Sequence, residues 1–389
     1  MTGPRQTDYR VAIVGGGVIG LYTAYRLARA GAGRIVVLDR GSYLSNGASG
    51  RNGGGVRQQW ETPETIRLAR EAVEAYRRFG SEFGVNPWFR QSGYLFLADS
   101  PAEVDRLQAV HRTVTQEGLP SQWLTPERVA RLVPGLSTTG ILGASYLESD
   151  GTLYPFPVVW GLFEAVQNLG VEVCLGTEVY RIAARDDRRL SVDGAHGRLD
   201  ADIVVNAAGG WSSEVARRAG VVLPTRPVRH EICATEPLKP FLDPMVVRAS
   251  DGLYFSQTMR GEIVGGLSPL ADPTGSIAMS SSAGFLGRMA RALVDLLPGL
   301  ASVGVLRAWS GLYDDTPDGL PIVGEDPALS GFVHANGFGG HGMMLAPSST
   351  ERVARLVLGE RIDLDPVEFG PGRFASVESG RPTEALQLG

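Results

Sequence analysis

The chain has 389 residues, 43% hydrophobic and 20% charged, which suits a folded protein of about two domains. A formal net charge of −5 argues against a nucleic-acid-binding surface. Two distant cysteines, Cys174 and Cys233, cannot build a disulfide framework or a cysteine zinc site, and no metal site is expected.

The polar start shows no signal peptide, and no apolar run reaches the roughly 18 residues of a membrane span. A cytoplasmic location with no membrane span is therefore expected. Residues 10–39 read as a βαβ unit: a buried strand RVAIV, the turn GGGVIG, a helix closed by Gly31 at C′, and a second buried strand RIVVLDR. Residues 41–60 are too glycine-rich for a regular element and read as one long loop. Thr62 as N-cap and Pro63 at the first helical position open an amphipathic helix. Residues 92–98 alternate like a strand, and 102–117 and 126–132 read as helices. Residues 143–156 are loop-like with strand character at their start, and 157–170 form a helix closed by Gly170. VEVCLG, TEVYRIAA and RLSVDG read as a small meander. DIVVNAAGGWS is a buried strand running into a glycine turn. Residues 226–236, 244–256 and 262–268 read as strands of a second sheet, and 281–300 as a helix. Residues 331–359 read as strand, glycine-rich loop and helix, and the chain from about Val377 as a polar, mobile tail.

Three segments carry chemistry. Gly15-x-Gly17-x-x-Gly20 lies between strand and helix, with Asp39 closing the next strand at the spacing a dinucleotide fold needs. Gly15 permits the tight turn, Gly17 a close backbone approach to pyrophosphate, and Gly20 the packing of helix on strand. The helix N-terminus then faces the phosphates, and Asp39 accepts from the ribose hydroxyls, which argues against a 2′-phosphate. The loop SNGASGRNGGGVR can follow a ligand with its amides, with Arg51 and Arg57 as its positive charges. In TPDGLPIVG followed by GFGGHGMMLAP, glycines flank His341 and a helix starts near Met344, so its positive end is available to a negative group.

In order and spacing these three segments resemble the FAD-dependent amine and amino-acid oxidoreductases of the D-amino-acid oxidase superfamily. The likeness is strongest to the branch of the sarcosine oxidase β-subunit, glycine oxidase and dye-linked proline dehydrogenase. The resemblance implies an α/β chain with a Rossmann-like, p-hydroxybenzoate-hydroxylase-like FAD-binding domain and a second mixed-sheet α+β substrate domain. Residues 1–60, 151–220 and 306–376 fall to the first, 61–150 and 221–305 to the second, and 377–389 to the tail. The implied FAD contacts are Gly15, Gly17, Val18, Ile19, Gly20, Asp39, Arg40 and Val179 at the adenosine and phosphate end. Ser49, Arg51, Asn52, Gly53 and Gly54 follow in the second loop, with Ala207, Gly209 and Trp211. Gly311, Tyr313, Gly340, His341, Gly342, Met343 and Met344 complete the set near the isoalloxazine ring.

Monomeric sarcosine oxidase bonds its flavin through a cysteine before a Met-Tyr pair. The corresponding run here is Gly311-Leu312-Tyr313, so FAD is expected to be non-covalent. The substrate-holding lysine of that enzyme corresponds to Met344, and its oxygen-activating lysine to Val264. Only Lys239 is lysine in this chain, which leaves arginine as the carboxylate anchor. Arg57 matches an arginine that contacts the carboxylate in relatives. Tyr254, His230 and His341 complete the implied catalytic set, although core packing accounts for Tyr254 and His230 equally well. Trp60 and Trp309 read chiefly as packing residues.

The expected reaction is oxidation of a C–N bond in an amino acid or small secondary amine, with hydride passing to flavin N5 and an imine as product. Oxygen or another molecule takes the electrons. A flavin monooxygenase on the same fold is disfavoured because no ribityl-type GD motif is present. An NAD-linked dehydrogenase is disfavoured by the two further flavin-type segments. An FAD-carrying subunit of a hetero-oligomer stays open, as does a homo-oligomer.

Overall fold

The computed structural model describes residues 3–269 and 277–374. The expected tail, 377–389, lies outside the described residues. The first sheet has a parallel centre. In spatial order it runs Ile322–Glu325, Phe332–Asn336, Gly197–Asn206, Asp8–Val14, Ile35–Asp39 and Glu172–Leu175. All neighbours pair in parallel except the antiparallel first pair. Val11, Ile13, Val36 and Val37 are fully buried, as strands covered on both faces require. Each such side chain contributes about 1.5–3 kcal/mol by leaving water.

The helices Val18–Arg29, Pro155–Asn168 and Gly342–Val357 pack on one face of this sheet. A hairpin of Val179–Ala184 and Leu190–Gly194, with the short helix Ser212–Arg218, covers the other. The sequence reading placed Glu172–Leu175 in a meander with these strands. Instead it pairs in parallel with Ile35–Asp39 at the sheet edge. The meander consists of the hairpin and Gly197–Asn206. A four-residue strand is too short for its own pattern to announce its partner.

The second sheet is mixed. Its order is Val305–Asp315, Arg226–Thr235, Ile263–Gly266, Leu253–Gln257, Met245–Arg248, Tyr94–Ala98, Gly143–Leu147 and Gln122–Leu124. Only the Met245–Arg248 and Tyr94–Ala98 pair is parallel. Tyr94–Ala98 does not alternate between buried and exposed, as its sequence suggested; all five residues are buried. Tyr94, Phe96 and Ala98 face the main core, while Leu95 and Leu97 face a second core under the helix Ala283–Leu296. The stretch 244–256 is two strands, broken by a turn with Gly252 at φ +64°. Ser-Asp-Gly at 250–252 is the turn chemistry that marks the break. The strand Val305–Asp315, grouped with the first domain from sequence, hydrogen-bonds along Arg226–Thr235 in this second sheet.

Local signals explain the helix ends. Thr62 caps Pro63–Phe83 by accepting from Thr65 N, and Gly84 ends it at φ +68°. The 41–60 loop holds one 3-10 turn, Ala48–Gly50, and a two-residue strand, Gly55–Val56, paired with Gly151–Thr152. That pairing, far in sequence, sets where Arg57 points. No described helix is long and apolar enough to cross a membrane.

Candidate active site and cofactor cleft

A cleft of about 420 Å³ runs from the Gly15 turn to a buried aromatic cluster on the second sheet. At its first end Gly15 sits at φ +114°, and a Cβ there would lie 2.2 Å from the Ala207 carbonyl oxygen. A Cβ on Gly20 would lie 1.9 Å from the Gly15 oxygen. Both positions therefore demand glycine. Gly17 is the N-cap of the helix Val18–Arg29 and offers no side-chain cap. Val18 N instead donates to Ser49 Oγ at 2.9 Å, so the second loop touches the first turn. The positive helix end opens onto the cleft with no acidic residue in its first turn.

Asp39 lines the cleft, but its carboxylate already accepts Gly16 N and Gly41 N, each at 2.6 Å. Burial pushes its pKa up, and the two amides oppose that. Each oxygen keeps a lone pair for a ribose hydroxyl. Arg40 lies over the Trp211 ring at 5.1 Å and 3.9 Å from Glu214. Val179, Ala207 and Gly209 line the same end.

The second loop is pinned to the second sheet. Arg51 donates to Asn46 O at 2.8 Å and Ser310 O at 3.0 Å, and Trp309 Nε1 donates to Arg51 O at 2.9 Å. Asn52 bonds Ser49 O and Gly54 N, each at 2.8 Å.

At the far end His230 stacks on Tyr313, with ring centroids 3.7 Å apart and planes at 17°. Tyr254 hydrogen-bonds Tyr313, and all three line the cleft. Burial pushes His230 down to about 3 and holds both phenols above their ordinary value. His230 Nδ1 is buried with no hydrogen-bond partner among the described residues, so a neutral acceptor is available there. A Cβ on Gly340 would lie 2.6 Å from the Tyr313 ring, and one on Gly311 3.4 Å from Arg51 Cβ.

Several expected residues lie behind the cleft wall. Arg57 is fully buried and lines neither this cleft nor its neighbour. Its guanidinium lies 3.8 Å from the Trp60 ring centroid, donates to Gln59 O at 2.6 Å, and sits 3.2 Å from His341 Nε2. Guanidinium only donates, so His341 Nε2 accepts and the imidazole is neutral. Burial and then Arg57 push the His341 pKa well down. His341 packs edge-on against Trp60 at 4.6 Å and occupies the N-cap position of the helix Gly342–Val357, where its side chain makes no cap bond. Met344 is buried away from the cleft, whereas Gly342 and Met343 line it. Gly20 supports the turn from below. Gly54 packs on Leu153 O, and Gly53 faces Tyr254 from a neighbouring cavity.

Sequence reasoning missed Asp314, which lines the cleft and accepts Gly337 N at 2.6 Å. The acidic pair before TPDG was its only signal. Burial raises Asp314 to about 7 and Asp315 to about 6. An unfolded Asp314 ionises near 3.8, so between about pH 4 and 7 the unfolded chain holds fewer protons than the folded one. The Asp314 contribution to stability therefore falls as pH rises through that window. Asp314→Asn is expected to flatten this part of the Tm-against-pH curve; an unaltered slope would exclude the assignment.

Neither Cys174 nor Cys233 lines the cleft. No cluster of metal-ligating side chains occurs among the described residues. The glycine cradle, the open helix N-terminus and the elongated cleft together fit an extended dinucleotide.

Comparison with known proteins agrees with this geometry. The family described as FAD dependent oxidoreductase (DAO) matches residues 10–356. The sarcosine oxidase subunit beta of Rhodobacter capsulatus is 29% identical, over 94% of this chain and 88% of that protein. The L-proline dehydrogenase structure from P. horikoshii superposes with a TM-score of 0.88 at 29% identity, covering 95% of this chain and 98% of that one. The glycine oxidase structure from Geobacillus kaustophilus gives 0.87 at 26% identity, covering 96% and 100%.

Proposed function

The chain belongs to this family of FAD-dependent oxidoreductases, and from that premise we propose that it oxidises a C–N bond of an amino acid or small secondary amine to an imine. FAD, when bound, supplies the hydride acceptor. The observation that carries this reading is a single cleft joining a phosphate-binding turn to the His230, Tyr254 and Tyr313 cluster.

The amides after Gly15 and at the start of Val18–Arg29 would hold the pyrophosphate of the cofactor, and Asp39 and Val179 would hold its adenosine. The uncapped N-terminus of Gly342–Val357 favours negative charge on the ring system. His230 is too weak a base to store a proton, so its Nδ1 accepts a hydrogen bond from the substrate amine and orients the adjacent C–H bond. Tyr254 and Tyr313 stay protonated; Tyr254 donates to Tyr313, which leaves the Tyr313 O–H to donate to a carboxylate. Arg57 acts as a positioning residue, fixing the His341 tautomer at the start of the last long helix. The first sheet, with its helices, is the cofactor unit, and the second sheet is the substrate unit.

The test is an anaerobic screen of amino acids and N-methyl amines against the purified, FAD-loaded chain. Substrate-driven bleaching of the flavin absorbance is expected with at least one of them. The relative named as a subunit favours a second reading, in which the chain works within a hetero-oligomer. Bleaching by the chain alone would exclude dependence on a partner. The cofactor is held without a covalent bond in this proposal: acid precipitation is expected to release all the flavin, and a yellow pellet would contradict it.

A further inference from the structure

A second cavity of about 390 Å³ lies against the cofactor cleft. The two share Ser45, Arg51 and Asn52 as a common wall. They also share a strand pair of the second sheet. Tyr254 is in register with Gly266, and Ser256 with Val264. Side chains two residues apart on a strand face the same way. Tyr254 therefore meets the cleft, while Ser256 and Val264, one step along the same face, meet the second cavity.

The mouth of this cavity is aromatic. Trp88 stacks on Tyr154 with centroids 6.0 Å apart and planes at 28°, and Phe156 lies 5.8 Å from Tyr154. Trp88 is 46% exposed and Phe156 51% exposed. Trp88 is held at φ +53°, a conformation a bulky side chain seldom adopts, with its amide bonded to Asn86 Oδ1 at 2.8 Å. A costly backbone geometry that presents a tryptophan at a cavity mouth points to use of that ring. The charge is positive. Arg51, Arg90, Arg260 and Arg307 line the cavity against one carboxylate, Glu262, which is engaged by Thr258 Oγ1 at 2.6 Å and lies 3.7 Å from Arg260. Arg90 Nε is buried without a partner among the described residues, and Arg307 lies over the Trp309 ring at 5.2 Å.

The geometry points to a binding site for a planar aromatic anion that serves as the oxidising substrate, entering on the other side of the Arg51 loop from the amine. The inference rests on the FAD-dependent reading above. Amine oxidation delivers two electrons and one proton to the cofactor. A quinone-type acceptor in the second cavity takes those, with one further proton from water, and leaves as the hydroquinone. The cofactor is thereby returned to its oxidised form. An aromatic slot and a guanidinium rim select a flat, negatively charged quinone over a neutral one.

The probe is 1,2-naphthoquinone-4-sulfonate, added to the FAD-loaded protein. Saturable quenching of tryptophan fluorescence is expected. Val264→Trp, which fills the cavity, and Arg307→Glu, which reverses its rim charge, are each expected to weaken binding about tenfold or more. Flavin content and amine-driven bleaching should stay at the parental level. Reoxidation of the photoreduced protein should saturate with probe, and both variants should shift its half-saturation in the same sense. Non-saturable quenching, parental affinity in both variants, or reoxidation that rises linearly with probe would overturn the proposal. The fluorescence arm reads the cavity directly, whereas failure of the FAD-dependent reading appears separately as absence of bleaching by any amine.

Discussion

Gly15→Ala is expected to yield a protein that purifies without flavin. Two costs add at this position. The backbone is at φ +114°, where an L side chain is strained, and the new methyl would lie 2.2 Å from the backbone oxygen of Ala207. Each effect costs about 1–3 kcal/mol. Neither can be relieved by rotating a side chain, because the obstacle is the end of a central strand. The turn must move, and with it the amides proposed to hold the phosphates. The flavin-to-protein ratio should fall at least about tenfold, the equivalent of roughly 1.4 kcal/mol or more in binding. Gly20→Ala should behave alike, since its Cβ would meet the Gly15 oxygen at 1.9 Å. A yellow Gly15→Ala protein with parental flavin content would show that this turn does not carry the cofactor.

Arg57→Ala is expected to destabilise the whole protein, not merely to weaken substrate binding. The guanidinium is buried among Trp60, Phe96, Gln59 and His341. Asp150 lies in the same interior, accepts from Gln58 and Gln59, and feels the Arg57 charge. Removing this buried guanidinium leaves its packing space empty and the Gln59 carbonyl and His341 Nε2 without their donor, which costs about 3–5 kcal/mol. At roughly 2 °C or more per kcal/mol, Tm should fall by about 6 °C or more. Arg57→Lys keeps the charge but loses the planar stack and should recover only part of the loss. A direct substrate anchor predicts the opposite pattern: KM for carboxylate substrates rises strongly while Tm stays within a degree or two. Thermal unfolding and kinetics on the same preparation therefore decide between the two roles.

The contrast at Arg57 shows where sequence stops informing. The first βαβ unit was legible because its signals are local: glycines at fixed spacing, an apolar run on each side, and Asp39 at the strand end. The caps of Pro63–Phe83 were legible for the same reason, with Thr62 and Pro63 adjacent to what they terminate. Arg57 directly follows the two-residue strand Gly55–Val56, whose direction is set by Gly151–Thr152, nearly a hundred residues on. Nothing within the loop says on which side of that pairing its side chain falls. His230 and Tyr254 were equally balanced between core and site, and only the approach of Tyr313 from a third segment puts them on a cleft. Asp314 was hidden among acidic neighbours whose burial depends on Gly337 folding over it. The second cavity draws on five separate stretches, so no contiguous motif could have announced it.

The reciprocal fastening of Arg51 and Trp309 also bears on how long a cofactor stays. Arg51 reaches a carbonyl beside Trp309, and the indole of Trp309 reaches back to the Arg51 carbonyl. The loop that borders the middle of the cleft is thereby clasped to the opposite sheet. If a bound cofactor can leave only when both hydrogen bonds open together, its escape is slow even where equilibrium affinity is moderate. Trp309→Phe unfastens one of the two and should shorten the residence time of flavin in dilution experiments.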